Sequence, residues 1–254
     1  MKKTVFISGA TAGIGKACAE RFAKENYNLI ITGRRQERLN ELKADLEKTY
    51  GIEVHSLCFD VQEKEAVFAA VSQLPATWQQ IHVLVNNAGL ALGKESFDEA
   101  DMDDWETMLN TNVHGLLYVS RALLPLLKQT GHAHIINMGS IAGKEVYENG
   151  NVYCASKFAV DAINKAMRID LMKHGIKVTG IHPGAVETEF SLVRFKGDEG
   201  KAAAAYQNFV PLTAADVADA VFYCASLPVH VCVNDLAITC LQQAGTYYFN
   251  KSSV

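Results

Sequence analysis

The chain has 254 residues, 49% of them hydrophobic, enough for one large core, and no Pro/Gly/Ser-rich linker marks the start of a second domain, so 1–254 reads as a single domain. Its 24 Lys and Arg and 28 Asp and Glu are interspersed and sum to a net charge of −4, which leaves no basic stripe for a phosphate backbone and excludes a nucleic-acid partner from expectation. The apolar run after the charged start ends at Gly9 without a cleavage site, and no stretch reaches the roughly 20 apolar residues that cross a bilayer, so a soluble cytoplasmic protein is expected.

In chain order, an apolar run over 4–8 reads as a first strand and is followed by a helical period over 13–25. The alternation repeats with strand 28–32 and helix 36–50, strand 54–59 and helix 63–73, then strand 82–85 and one long helix over 102–129. Strand 134–138 leads to helix 152–174, and strand 177–181 is followed by helix 214–226, where Thr213 and Asp216 have the spacing of a capping box. A seventh strand fits 236–240. Repeated β-α units mean a Rossmann-type, doubly wound parallel α/β sheet of about seven strands with helices on both faces. Right-handed crossovers on such a sheet put the ligand crevice at the carboxyl ends of the strands, so chemistry belongs just after each apolar run.

Several residue groups sit there. Gly9, Ala10, Thr11, Ala12, Gly13, Ile14 and Gly15 follow the first strand and open a helix, the arrangement in which glycines let the backbone approach a pyrophosphate at the positive helix end. Arg34 and Arg35 follow the second strand, and no carboxylate occurs until Glu37; a ribose 2′-phosphate wants cations where a bare 2′-hydroxyl wants a carboxylate, so NADP is the expected cofactor. The competing role, two solvated arginines, sets positive charge against the macrodipole unless an anion compensates it. Tyr153 and Lys157 lie four apart on a helix and share a face, where an ammonium favours the phenolate and draws a phenol toward the working range of an acid or base. Ser140, after the fifth strand, can hold a substrate oxygen by a hydrogen bond while Tyr153 donates or removes its proton. Six scattered cysteines form no Cys-x-x-Cys pair, and His132 and His134 lack a third ligand, so no metal is expected.

These stretches, with Asp60-Val61, Asn86-Asn87-Ala88-Gly89, Asn112 and Pro183-Gly184, resemble the short-chain dehydrogenase/reductase family over about residues 3–240. The resemblance implies that Asp60 and Val61 lie at the adenine, that Asn87 lies beside the cofactor, and that Asn112, Ser140, Tyr153 and Lys157 form a catalytic tetrad. Lys157 then also binds the nicotinamide ribose, Asn112 anchors a proton-relaying water, and Pro183, Gly184, Val186 and Thr188 complete the cofactor contacts. A homotetramer is the family expectation, and the apolar residues on more than one face of helices 112–129 and 152–174 agree with it.

Within the family, the stretches 88–93, 150–153 and 190–198 are similar to bacterial NADP-dependent 3-hydroxy acid dehydrogenases, also described as serine or allo-threonine dehydrogenases. That similarity implies oxidation of the 3-hydroxyl of L-allo-threonine, L-serine or 3-hydroxypropionate, or reduction of 3-oxo acids such as malonic semialdehyde. Ser8 departs from the usual Thr before Gly9, and the stretch 184–188 is about one residue shorter than in those enzymes. Arg194, on a loop able to close over the nicotinamide, is the candidate for the substrate carboxylate; its competing role is a surface ion pair with Glu187, Glu189 or Asp198. The alternative function is a carbonyl reductase of the same fold acting on a sugar, steroid or acyl-carrier ketone. A catalytically silent NADP-binding protein is a third class, against which the intact Ser140, Tyr153 and Lys157 speak.

Overall fold

The computed structural model describes residues 2–250. Its first half alternates as read from the sequence: β1 (Thr4–Ile7), α1 (Gly13–Lys24), β2 (Asn28–Gly33), α2 (Gln36–Tyr50), β3 (Val54–Cys58), α3 (Lys64–Ser72) and β4 (Val83–Asn86). Then come α4 (Met102–Leu109), α5 (Leu116–Thr130), β5 (His134–Met138), α6 (Asn151–Leu171) and β6 (Lys177–Pro183). The last part holds β7 (Val186–Glu187), α7 (Glu189–Arg194), α8 (Glu199–Ala204), β8 (Leu212–Thr213), α9 (Ala214–Ser226) and β9 (Asp235–Ile238).

Seven strands form one parallel sheet in the order β3-β2-β1-β4-β5-β6-β9, and β7 pairs with β8 in a small parallel sheet of its own. Strand order reverses between β1 and β4, which opens a crevice at their carboxyl ends. Both sheet faces are covered, so β1, β4 and β5 are buried at every residue. On one face α1 and α9 pack together, with Phe22, Tyr27 and Phe222 meeting edge to face at 5.1–6.2 Å. On the other, Val119, Leu123 and Leu127 of α5 pack with Val67 and Val71 of α3 over Phe6, Leu84 and Ile135.

A buried amide chain ties the sheet to α6. Asn86 donates to Asn137 at 2.9 Å and to Ser120 at 2.8 Å, and Asn137 donates to Asn164 at 2.9 Å. These bonds tie β4, β5 and α6 together, while Asn86 Oδ1 and Asn164 Nδ2 at the two ends of the amide chain find no partner among the described residues. The Thr213–Asp216 capping box is present, with the Asp216 amide donating to the Thr213 hydroxyl at 3.2 Å and the Asp216 carboxylate accepting from the Thr213 amide at 2.7 Å.

Three expectations are corrected. The single helix over 102–129 is broken by a π-helical turn over Asn110–Gly115, which widens the ladder by one residue and separates α4 from α5. The helix read to 174 stops at Leu171 and finishes in a 3-10 turn, Met172–His174, capped by left-handed Gly175. The stretch between β6 and α9, read as a loop, folds into β7, α7, α8 and β8.

Candidate active site

The crevice is a cavity of about 340 Å³ that runs from Arg34 and Arg35 at one end to Tyr153 and Phe190 at the other. Of the expected site residues it is lined by Gly9, Thr11, Ala12, Gly13, Ile14, Arg34, Arg35, Asp60, Val61, Asn87, Ser140, Tyr153, Lys157, Pro183, Gly184, Val186 and Thr188. Ala10, Gly15, Asn112 and Arg194 are not among the residues that line it. Sequence reasoning missed Leu90, Phe190 and Val193 at the reacting end and Glu189 at the other; nothing local marks an apolar or acidic residue as cavity-lining.

The glycine-rich turn is shaped by close approach. Gly9 has φ +68°, and a Cβ there would lie 2.9 Å from Ala88 Cα; at Gly15 a Cβ would fall 2.2 Å from the Gly9 carbonyl oxygen. Gly15 therefore serves helix packing. Asn87 braces the turn by donating to the carbonyls of Ser8 at 3.0 Å and Gly9 at 3.1 Å. The Ser8 hydroxyl accepts from the amides of Asn87 and Ala88, so serine supplies the one group needed there. The N-terminus of α1 has no side-chain cap and no acidic residue in its first turn, which leaves its amides available to an anion facing the cavity.

At the arginine end, Arg34 lies 3.3 Å from the Asp60 carboxylate, and Arg35 donates to the Thr11 hydroxyl at 2.8 Å. Arg35 and Arg38 both reach Glu189 of α7, at 3.2 and 2.8 Å. The anion that the macrodipole argument demands at Arg35 is here a carboxylate from 154 residues away in the chain, and Arg38 also reaches it. Although burial works against it, the hydrogen bonds from Arg38 and Arg35 hold the Glu189 carboxyl below its ordinary value.

At the other end, Tyr153 and Lys157 project from one face of α6 and are 8% and 6% exposed. The ammonium does not reach the phenol: Nζ is 6.0 Å from the ring centroid and donates to the Met138 carbonyl at 2.9 Å. Burial pushes Lys157 down to about 8, and burial pushes the Tyr153 phenol up, opposed by the Ser140 hydroxyl and the Arg194 charge. At Tyr153 burial, rather than the charge of Lys157, is the largest influence on the phenol. Ser140 follows β5 as the cap of a 3-10 turn, accepting from the Ala142 amide at 3.1 Å and donating to the Pro183 carbonyl at 3.4 Å.

Asn112 is 2% exposed and sits in the π turn. Its amide donates to Leu90 O at 2.8 Å and to Ser156 Oγ at 3.0 Å, while its Oδ1 accepts from Leu90 N at 2.8 Å. Both its N–H groups are consumed, and one lone pair of Oδ1 remains. A Cβ at Gly89 would lie 3.2 Å from that Oδ1 and 3.6 Å from Lys157 Nζ, so this glycine leaves the two groups facing common space.

Arg194 ends α7 and has no carboxylate within ion-pair distance among the described residues; Asp198 pairs with Lys201, and Lys196 pairs with Asp104 at 2.8 Å. Its guanidinium donates to Gly93 O at 3.1 Å and to Tyr147 Oη at 2.9 Å, and its Cζ is 5.6 Å from the Tyr153 ring centroid. Elsewhere, Asp161, His182 and Asp235 bring ligand atoms within 4.8 Å of one another, but Lys144, Lys165 and Arg168 already neutralise the two carboxylates.

A doubly wound sheet with a glycine-rich turn, a Ser-Tyr-Lys group and a crevice between them defines a nucleotide-dependent oxidoreductase, and the chain belongs to the short-chain dehydrogenase family, whose model matches residues 3–198. It is 47% identical over 241 residues to the NADP-dependent 3-hydroxy acid dehydrogenase YdfG of Escherichia coli (strain K12), covering 94% of this chain and 96% of that one. It is 44% identical over 245 residues to sulfoacetaldehyde reductase 2 of Chromohalobacter salexigens, covering 96% of each. Among solved structures it is similar to the closed form of serine dehydrogenase complexed with NADP+, with a TM-score of 0.90, 47% identity and coverage of 95% and 96%. No helix among the described residues is long and apolar enough to cross a membrane.

Proposed function

We propose that the protein is an NADP-dependent oxidoreductase that oxidises the 3-hydroxyl of a small 3-hydroxy acid such as L-allo-threonine, L-serine or 3-hydroxypropionate, or reduces the matching 3-oxo acid. The names of its relatives support this reading. The residues present suit the cofactor: the uncapped start of α1 and the glycine turn for a diphosphate, Arg34 and Arg35 for a 2′-phosphate, and Asp60, Val61 and Asn87 along the rest. NADP supplies the hydride chemistry when bound.

The chain's own residues supply position and protons. Ser140 Oγ holds the substrate oxygen, and Tyr153 Oη gives it a proton in reduction or takes one in oxidation. Lys157 binds the cofactor ribose, and its ammonium together with Asn112 Oδ1 holds the water that restores the proton through the space above Gly89. Pro183, Gly184, Val186 and Thr188 close the wall, with the Gly184 amide fixed on Ile238 O at 2.8 Å. Leu109, Leu117 and Phe158, exposed on α4, α5 and α6, suit burial in a homotetramer of single-domain subunits in the cytoplasm.

The observation that carries the substrate class is Arg194, an arginine without a carboxylate partner held beside the Tyr153 ring. A planar guanidinium takes a carboxylate with two parallel hydrogen bonds. A neutral sugar or steroid leaves it unused, which counts against the alternative reductases. Sulfoacetaldehyde carries its acid group on the carbon next to the reacting one, as malonic semialdehyde does, so the Chromohalobacter relative makes this a second reading for the same seat. The experiment is Arg194→Met assayed with a 3-hydroxy acid and with the neutral ketone acetoin. The specificity constant for the acid should fall roughly ten- to a hundredfold, the share of a charge-assisted bond, with acetoin unchanged. Parallel loss on both would make Arg194 a structural residue of α7.

A further inference from the structure

Tyr147 has no role in the chemistry described so far, yet it lies on one of three separated segments that meet at Arg194. It lies in the loop before α6, where its hydroxyl accepts from Arg194 Nη1 at 2.9 Å and its ring lies 5.6 Å from Arg194 Cζ. Arg194 Cζ is the same 5.6 Å from the Tyr153 ring, so the guanidinium is equally near the two tyrosines. From the loop after β4, Gly93 accepts from Arg194 Nε at 3.1 Å and donates its amide to Arg194 O at 2.9 Å. Gly93 has φ +69°, which a residue with a side chain adopts only with strain, and this turns its carbonyl toward the arginine. The Tyr147 ring is itself fixed: a Cβ at Gly150 would lie 2.7 Å from Tyr147 Cε2, so glycine is required beneath it.

We infer that Tyr147 is a specificity-determining residue: its hydroxyl sets the plane of the Arg194 guanidinium beside Tyr153, and the two side chains together form the seat for the acid group of the substrate. A guanidinium has five N–H donors, and Gly93 and Tyr147 take two, leaving three for an anion. The Tyr147 oxygen is the acceptor in its bond to Arg194, so its own proton remains to be donated to the same anion. Burial keeps that phenol protonated by raising it above its ordinary value, with Arg194 acting in the opposite sense. An arginine held on two sides before the substrate arrives loses less freedom on binding than a free one, so the tyrosine contributes through Arg194 as well as through its own bond.

The inference rests on the acid-substrate reading above, and the test separates the two. Tyr147→Phe keeps the ring and removes the hydroxyl. KM for the 3-hydroxy acid should rise about three- to tenfold with kcat within about twofold, while acetoin reduction stays unchanged. The affinity of the NADP-loaded enzyme for propionate, which needs no turnover, should weaken by a similar factor in titration calorimetry. In an Arg194→Met background, Tyr147→Phe should have less than about a twofold further effect, because both act through one seat. Equal loss on acid and acetoin, unchanged propionate affinity in the Phe variant, or independent effects in the double variant would each overturn the inference. A wild type that binds propionate in a Tyr147-dependent way but turns over no 3-hydroxy acid would instead retire the substrate reading and leave the seat in place.

Discussion

The Lys157 ammonium donates to the Met138 carbonyl at 2.9 Å, across the gap between α6 and the end of β5, and no carboxylate stands within ion-pair distance of it among the described residues. A buried cation held by one carbonyl is costly, and burial accordingly pushes Lys157 from 10.5 to about 8. The sign follows from linkage: the folded state disfavours the proton, so the penalty is present in full below pH about 8 and is relieved as pH rises toward 10.5. Lys157→Met should abolish turnover yet stabilise the cofactor-free protein at neutral pH by about 1–2 kcal/mol, or roughly 2–8 °C in Tm. The gain should shrink at pH 9.5 (hypothesis, motivated by the single carbonyl partner). Thermal melts of both proteins at the two pH values decide it, and a variant less stable than wild type at neutral pH would sink the idea.

Burial holds the Tyr153 phenol above its ordinary value, so at neutral pH it is a protonated acid, already set for reduction. Oxidation needs the phenolate as base. Oxidation kcat should therefore climb across the alkaline range while reduction kcat does not, and a flat oxidation profile would remove Tyr153 from the role. Tyr153→Phe should leave NADP affinity within a few-fold and lower turnover by about a hundredfold or more. Near-normal turnover in that variant is the contrary result.

Glu189 occupies Arg35, one of the two cations suited to a 2′-phosphate, and Arg38 beside it. NADP should bind at least about tenfold tighter than NAD, a difference of about 1.4 kcal/mol. Because both partners of Glu189 are largely exposed, its competition is modest, and Glu189→Gln should tighten NADP up to about fivefold while leaving NAD unchanged. Titration calorimetry with each cofactor reads both effects; equal dissociation constants for NADP and NAD, or the same gain for both in the variant, would contradict them.

What the sequence by itself determined is what arises within a few residues. Alternating Val- and Ile-rich runs and helical periods are local, and they specify the parallel sheet and place Gly9, Ser140 and Pro183 at strand ends. The spacing of Tyr153 and Lys157 sets both on one face of α6 whatever surrounds them, and Thr213 with Asp216 caps α9 without help from elsewhere. The tertiary structure decided everything that depends on a distant partner or on burial. The period over 102–129 reads as one helix, but the clamp between Asn112 and Leu90, 22 residues earlier, accompanies a π turn that no local signal marks. Arg35 meets Glu189 across 154 residues and Arg194 meets Tyr147 across 47, separations over which a sequence pattern carries no geometry. The acid-base balance of Tyr153 and Lys157 also belongs to the fold, because desolvation depends on what covers a group, and here burial is the largest influence on both.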